Sequence, residues 1–222
     1  MIGGAAESGT LPNGHPKLRR RALGDDDTTK ANMRALLEKS RRSLLVDTCF
    51  TQGVFDEIVV AVKTIADTYT HLRDKGHFFG GIVRLAAHDF MDYDQTQDDW
   101  GMDGCIDWTA PDNAGLDTIW CEDAVACPLK EIYTNTFAAV VGRADFWVAA
   151  ANAVIQITSK PFTDLLGGSH SELVLPFRYG RTDNDVCVNS AIRLPGAQHC
   201  DEVQKTFIDH MGMTWRQGAA LL

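Results

Sequence analysis

The chain predicts an all-α domain, and three observations carry that reading. Apolar residues recur at helical spacing over Phe55, Ile58, Val59, Val62, Ile65 and Ala66. Segments that alternate apolar with polar residues, the mark of a half-buried strand, are few. Arg84 and His88 stand four residues apart within an apolar stretch, so on a helix both side chains leave the same face one turn apart. No internal repeat competes with a single helical core.

Taken in order, residues 1–30 mix Gly, Pro, acidic and basic residues without periodicity and read as a disordered lead-in to one domain over 31–222. Ala31 to Val46 and Val54 to Arg73 read as helices, and Gly80 to Met91 as the helix that carries Arg84 and His88. Asp92 to Asp112 is acidic, contains Gly and lacks apolar periodicity, which predicts a loop. Helices are expected at Leu116–Trp120, Thr136–Val141, Ala144–Ile157 and Asp201–Met211, the last with Val203, Phe207 and Met211 on one side. Thr214-Trp215-Arg216-Gln217 reads as a capping box, so another helix starts there.

Composition sets limits on function. A chain of 222 residues with 45% hydrophobic residues can bury one sizeable core. No apolar run approaches the ~18 residues of a transmembrane helix. The net charge of −9 argues against a nucleic-acid partner, and the longest basic run, Arg19-Arg20-Arg21, lies in the lead-in. The six cysteines, Cys49, Cys105, Cys121, Cys127, Cys187 and Cys200, form no Cys-x-x-Cys pair, which favours disulfides over zinc. Disulfides favour a secreted protein or another oxidising compartment, although Met1 to Lys30 lacks the apolar core of a signal peptide.

The Arg84–His88 spacing has a chemical meaning. Imidazole is the side chain whose ordinary pKa lies nearest neutrality, and guanidinium stays charged at any working pH. Together they can move a proton and stabilise an emerging anion, the two requirements of peroxide cleavage. A run of further motifs surrounds the pair: Gly101-Met102-Asp103-Gly104-Cys105, Asn113-Ala114-Gly115-Leu116, Ala144-Asp145-Phe146, Pro176 to Asp183 with its Gly-Arg-x-Asp, and Met211-Gly212-Met213-Thr214.

In that order, from about Gly80 to the last residue, these elements resemble the plant-type haem peroxidase superfamily. The pattern is closer to its secreted fungal and plant classes than to the intracellular ascorbate or cytochrome c peroxidases, although Arg-Leu-Ala is similar to the latter. The resemblance implies the two-lobed all-α fold, here the distal lobe and the start of the proximal lobe. It implies haem b, hydrogen peroxide and a small reducing substrate, in a protein that answers oxidative stress. His88 would be the distal base, taking a proton from one peroxide oxygen and returning it to the other so that water leaves. Arg84 would steady the departing hydroxide, and Asn113 would accept a hydrogen bond from His88 Nδ1–H and so fix its tautomer. Asp107 stands where the family has a Glu that orients this Asn.

Asp89, Asp103 and the carbonyl of Gly101 would be distal calcium ligands, with Cys105 in place of a Ser hydroxyl that thiol chemistry replaces poorly. Asp92, Asp94, Asp98 or Asp99 could restore the lost oxygen, or Cys105 could sit in a disulfide. Asp145 and Arg181 match an architectural acid–arginine pair. Ala87 replaces the aromatic residue beside the distal His, implying a larger and wetter pocket open to oxygen transfer unless Phe90 or Phe79 fills it. The resemblance breaks off where Gly-Ala-His should bring the proximal iron ligand, so the chain is expected to be C-terminally incomplete and itself a poor peroxidase. His210, before the cap, would need a different helix to replace that ligand. Two further readings stand beside this one: a non-catalytic calcium-stabilised helical domain that has lost haem, and a helical enzyme using His88 as a base without haem.

Overall fold

A computed structural model describes residues 50–96, 101–121, 127–165, 175–187, 194–195 and 200–220. The lead-in over 1–30 and the helix expected at Ala31–Val46 lie outside the described residues. The described residues contain helices and no strand.

Helix α1 runs from Gln52 to Asp67, with Thr51 as N-cap accepting from Val54 N–H at 3.3 Å. It stops earlier than the expected Arg73. The apolar period ends at Ala66, and the hydroxyl of Thr68 turns back onto the carbonyl of Ile65 at 2.7 Å, a local bond that competes with continuing the helix. Helix α2, Leu72–Phe90, starts well before the expected Gly80, because Gly76, Gly80 and Gly81 dilute its apolar period. Gly81 has a packing reason: a Cβ there would lie 2.5 Å from the side chain of Ile119.

The expected helix at Leu116–Trp120 is a single 3₁₀ turn, Leu116–Thr118. The one expected at Thr136–Val141 lies earlier. Helix α3, Pro128–Ile132, opens with a proline at its first position, where no N–H is needed, and passes into a π turn over Tyr133–Phe137. Helix α4 spans Arg143–Leu165, beyond the expected Ile157. Helix α5, Cys200–Val203, likewise passes into a π turn over Gln204–His210. The capping box at Thr214 opens α6, Trp215–Ala219: Gln217 N–H donates to Thr214 Oγ1 at 3.3 Å and Thr214 N–H to Gln217 Oε1 at 2.9 Å.

Helices α1 and α2 both pack on α4, which forms the centre of the core. Ala149, Ala150 and Ala153 are fully buried on α4 and let the neighbouring backbones approach closely. Ile58 and Val62 from α1, and Phe78, Ile82 and Leu85 from α2, fill the space around Phe146 and Trp147. Burial of these faces fixes how α2 is rotated. With Ile82, Leu85 and Asp89 inward, Arg84 and His88 fall on the half-buried edge of the helix.

Two disulfides form among the described residues, Cys105–Cys187 and Cys121–Cys127. Cys200 is exposed and unbridged, and Cys49 lies outside the described residues. The first bridge closes a separation of 82 residues and the second one of 6, so chain entropy assigns them roughly 4 and roughly 2 kcal/mol. The longer bridge fastens the loop after α2 to the segment that follows Gly180-Arg181.

Candidate active site

Helix α2 brings Arg84 and His88 together as the spacing requires, with Arg84 Nε–H donating to His88 Nε2 at 3.3 Å. The opposite ring nitrogen, Nδ1, lies 2.8 Å from Asn113 Oδ1. A carboxamide oxygen can only accept, so Nδ1 carries the proton and Nε2 presents a lone pair toward Arg84. Asn113 is held in turn, since it is buried and donates through Nδ2 to the backbone carbonyl of Asp107 at 2.9 Å. The carboxylate of Asp107 is engaged elsewhere, accepting from Thr109 N–H at 2.9 Å and Thr109 Oγ1–H at 2.6 Å. Asp107 therefore orients Asn113 through its main chain rather than through its side chain.

Two carbonyls fix the guanidinium. Arg84 Nη1 donates to Ala114 O at 2.8 Å and Nη2 to Asp112 O. Neither contact is visible in residue types, but one signal exists. Gly115 has φ +87°, a left-handed conformation that suits glycine, and it turns the chain just after the accepting carbonyl of Ala114. Burial lowers the His88 pKa first and the Arg84 charge adds to that, while the bond to Asn113 pulls the other way. The imidazole is thus kept available as a base. Burial also lowers the Arg84 pKa, but a guanidinium remains charged in the working range.

Next to His88 on α2, Asp89 is fully buried. Its carboxylate accepts from Gly104 N–H at 3.0 and 3.2 Å and from Asp103 N–H at 3.4 Å. Gly104 is required here: it has φ +73°, and a Cβ would meet Ala144 N at 2.8 Å. Burial pushes the Asp89 pKa up to about 8, against the Gly104 hydrogen bond, and the nearby Asp103 adds to the rise. Asp103 accepts from Cys105 N–H at 3.0 Å. Cys105 gives its sulfur to the bridge with Cys187, so its side chain can supply no metal ligand. Asp94 bonds Thr96 and stands 3.9 Å from His210 Nε2, and Asp98 and Asp99 lie outside the described residues. Among the described residues, no group of three or more His, Cys, Asp or Glu side chains is gathered around one point for a metal.

Asp145 and Arg181 meet at 2.6 Å, and Asp145 also accepts from Gly180 N–H at 2.6 Å and Arg181 N–H at 3.3 Å. Asp183, two residues on, closes the start of α4 by accepting from Arg143 N–H at 2.6 Å and Ala144 N–H at 2.9 Å. The sequence reading did not assign that role to Asp183. A signal was present, since Gly142-Arg143-Ala144 offers α4 no local N-cap side chain. Phe90 is exposed, and Phe79 packs with Phe78 against the core. Trp215–Ala219 contains no histidine.

No curated protein matches the chain. A family model described as peroxidase matches residues 62–222, which takes in α2, the loop that holds Asn113 and the Gly-Arg-x-Asp segment. With that match covering most of the chain, and an arginine and an oriented imidazole set side by side within it, the chain belongs to the peroxidase family.

Proposed function

We propose that the protein oxidises a small reducing substrate at the expense of hydrogen peroxide, using haem b, with Arg84 and His88 cleaving the O–O bond. The observation that carries this is the Asn113–His88–Arg84 chain, which commits Nδ1 as donor and leaves Nε2 as acceptor. His88 Nε2 takes a proton from the near oxygen of the peroxide and returns it to the far oxygen, so that water departs. Arg84, held by two carbonyls, stabilises the negative charge that builds on the departing oxygen without having to reorganise. Asn113 keeps the imidazole in the productive tautomer throughout. Haem, when bound, supplies the electron chemistry that acid–base groups cannot. The half-buried Arg84 and His88 fit its distal face.

The test uses the complete, haem-loaded protein and a chromogenic one-electron donor. Peroxide-dependent oxidation is expected, and Arg84→Leu is expected to lower its rate by about 10²–10³-fold, the usual cost of removing one preorganised transition-state donor. Equal turnover in both proteins would remove Arg84 from the chemistry.

The same reading extends to calcium at Asp89, Asp103 and the Gly101 carbonyl, three hard oxygen sources to be completed by water or by acids of the same loop. Adding calcium is expected to raise the melting temperature and a chelator to reverse it, since an ion bound only by the folded state stabilises by mass action. Asp103→Ala should abolish the difference. A melting curve indifferent to both additions rejects the site, with Cys105 in its disulfide as the physical reason.

A further inference from the structure

From Asp89 to Leu129 the chain carries eleven acidic residues and no Lys, Arg or His, and this stretch supplies Asn113 and the carbonyls that hold the Arg84–His88 pair. A ligand approaching the pair along it meets one sign of charge. Three acids of the stretch adjoin the site, and they differ in what they have left to offer. Asp89 is buried with its carboxylate on backbone N–H groups, and Asp107 gives its carboxylate to Thr109. Asp112 is exposed, and its carboxylate makes no hydrogen bond or ion pair among the described residues.

Position ties Asp112 to the site. It lies on the 3₁₀ turn Pro111–Asn113, its carbonyl accepts from Arg84 Nη2, and the next residue, Asn113, accepts from His88 Nδ1–H. Its charge reaches both side chains: against the lowering that burial brings, it favours the charged forms of Arg84 and His88. The Arg84 charge does not cancel it for an incoming ligand. Nε, Nη1 and Nη2 of Arg84 each donate within the site, to His88, Ala114 O and Asp112 O, and the side chain is half-buried, whereas Asp112 stands in solvent. A ligand ammonium is the group that gains most at such a carboxylate.

We propose that Asp112 determines specificity, pairing with the ammonium group of a small cationic phenol that is oxidised beside the Arg84–His88 pair. Two such phenols each lose one electron and one proton for every peroxide reduced to two waters, and the ammonium group passes through unchanged. The proposal rests on the peroxide-dependent activity proposed above, and its test separates the two. The complete, haem-loaded protein is given tyramine, whose side chain ends in an ammonium, 3-(4-hydroxyphenyl)propionate, whose side chain ends in a carboxylate, and neutral 4-methylphenol, and kcat/KM is measured for each. Dividing by the value for 4-methylphenol removes any change in the peroxide step from the comparison. Tyramine is expected to exceed the propionate about tenfold at low salt, chiefly through KM, and the preference to shrink towards unity at about 0.5 M salt. Asp112→Asn, which keeps the main-chain carbonyl that holds Arg84, should lower the preference about fivefold. Oxidation of none of the three phenols would overturn the activity and this proposal with it. Oxidation of 4-methylphenol with tyramine and the propionate used equally, or a preference that neither salt nor Asp112→Asn alters, would overturn the role of Asp112 alone.

Discussion

Replacing His88 by leucine slows peroxide cleavage by about 10²–10⁴-fold, the usual contribution of a positioned general acid–base group, while haem stays bound. Leucine resembles imidazole in bulk but can neither take nor return a proton. The measurement is stopped-flow absorbance of the haem-loaded protein mixed with peroxide, and an unchanged rate would take His88 out of the mechanism. The pH profile supplies a second readout. Burial and the Arg84 charge lower the His88 pKa, so the neutral, proton-accepting form persists below the ordinary imidazole range. The rate should therefore be level through neutrality and fall only on the acid side, as pH drops through that lowered pKa and the ring gains its proton. In Asn113→Ala the bond that raises the His88 pKa is lost, so the acid limb should move to still lower pH. The level part should also fall, because the tautomer is no longer fixed. A merely structural role for Asn113 would not move the limb.

The pair Arg84 and His88 was legible because helix geometry ties a spacing of four residues to a shared face, whatever surrounds it. The start of α2 was not, since three glycines interrupt the apolar period that would reveal its first turns. The contact between Asp107 and Asn113 was legible as a neighbourhood, and the shorter side chain of Asp107 already spoke against a carboxylate contact. An aspartate two residues before a threonine can bond the backbone ahead of it, and here that local bond takes the carboxylate and leaves the main-chain carbonyl to hold Asn113. Disulfide partners could not be read either: spacing says nothing about which cysteines meet, and the Cys105–Cys187 bridge joins segments brought together only by folding. The same limit hid the carbonyls that anchor Arg84. Backbone acceptors carry no residue signature, so only the glycine that shapes their turn was available to see.

The Gly-Arg-x-Asp segment shows what such long-range contacts are worth, and Asp145→Ala is expected to cost about 3 kcal/mol of stability. Asp145 is buried and receives three donors from Gly180 and Arg181. Breaking a buried pair by removing one partner generally costs ~3–5 kcal/mol, because the other charge is left uncompensated. The side chain of Arg181 is 28% exposed, so water recovers part of its solvation and the lower end applies. A further loss pulls the other way. Asp183, two residues beyond Arg181, caps the first N–H groups of α4, and a segment released at Arg181 holds that cap less firmly. For a chain of this length the change corresponds to a fall in melting temperature of roughly 6–12 °C. Asp145→Asn keeps an acceptor for the Gly180 and Arg181 N–H groups while removing the charge, so it should cost less than the alanine variant. In Arg181→Ala, Asp145 still accepts from both backbone N–H groups, and that variant combined with Asp145→Ala should be less destabilised than the two single losses added together. Strict additivity of the two changes, or an unaltered melting temperature in Asp145→Ala, would show that the 2.6 Å pair contributes nothing to holding this segment on α4.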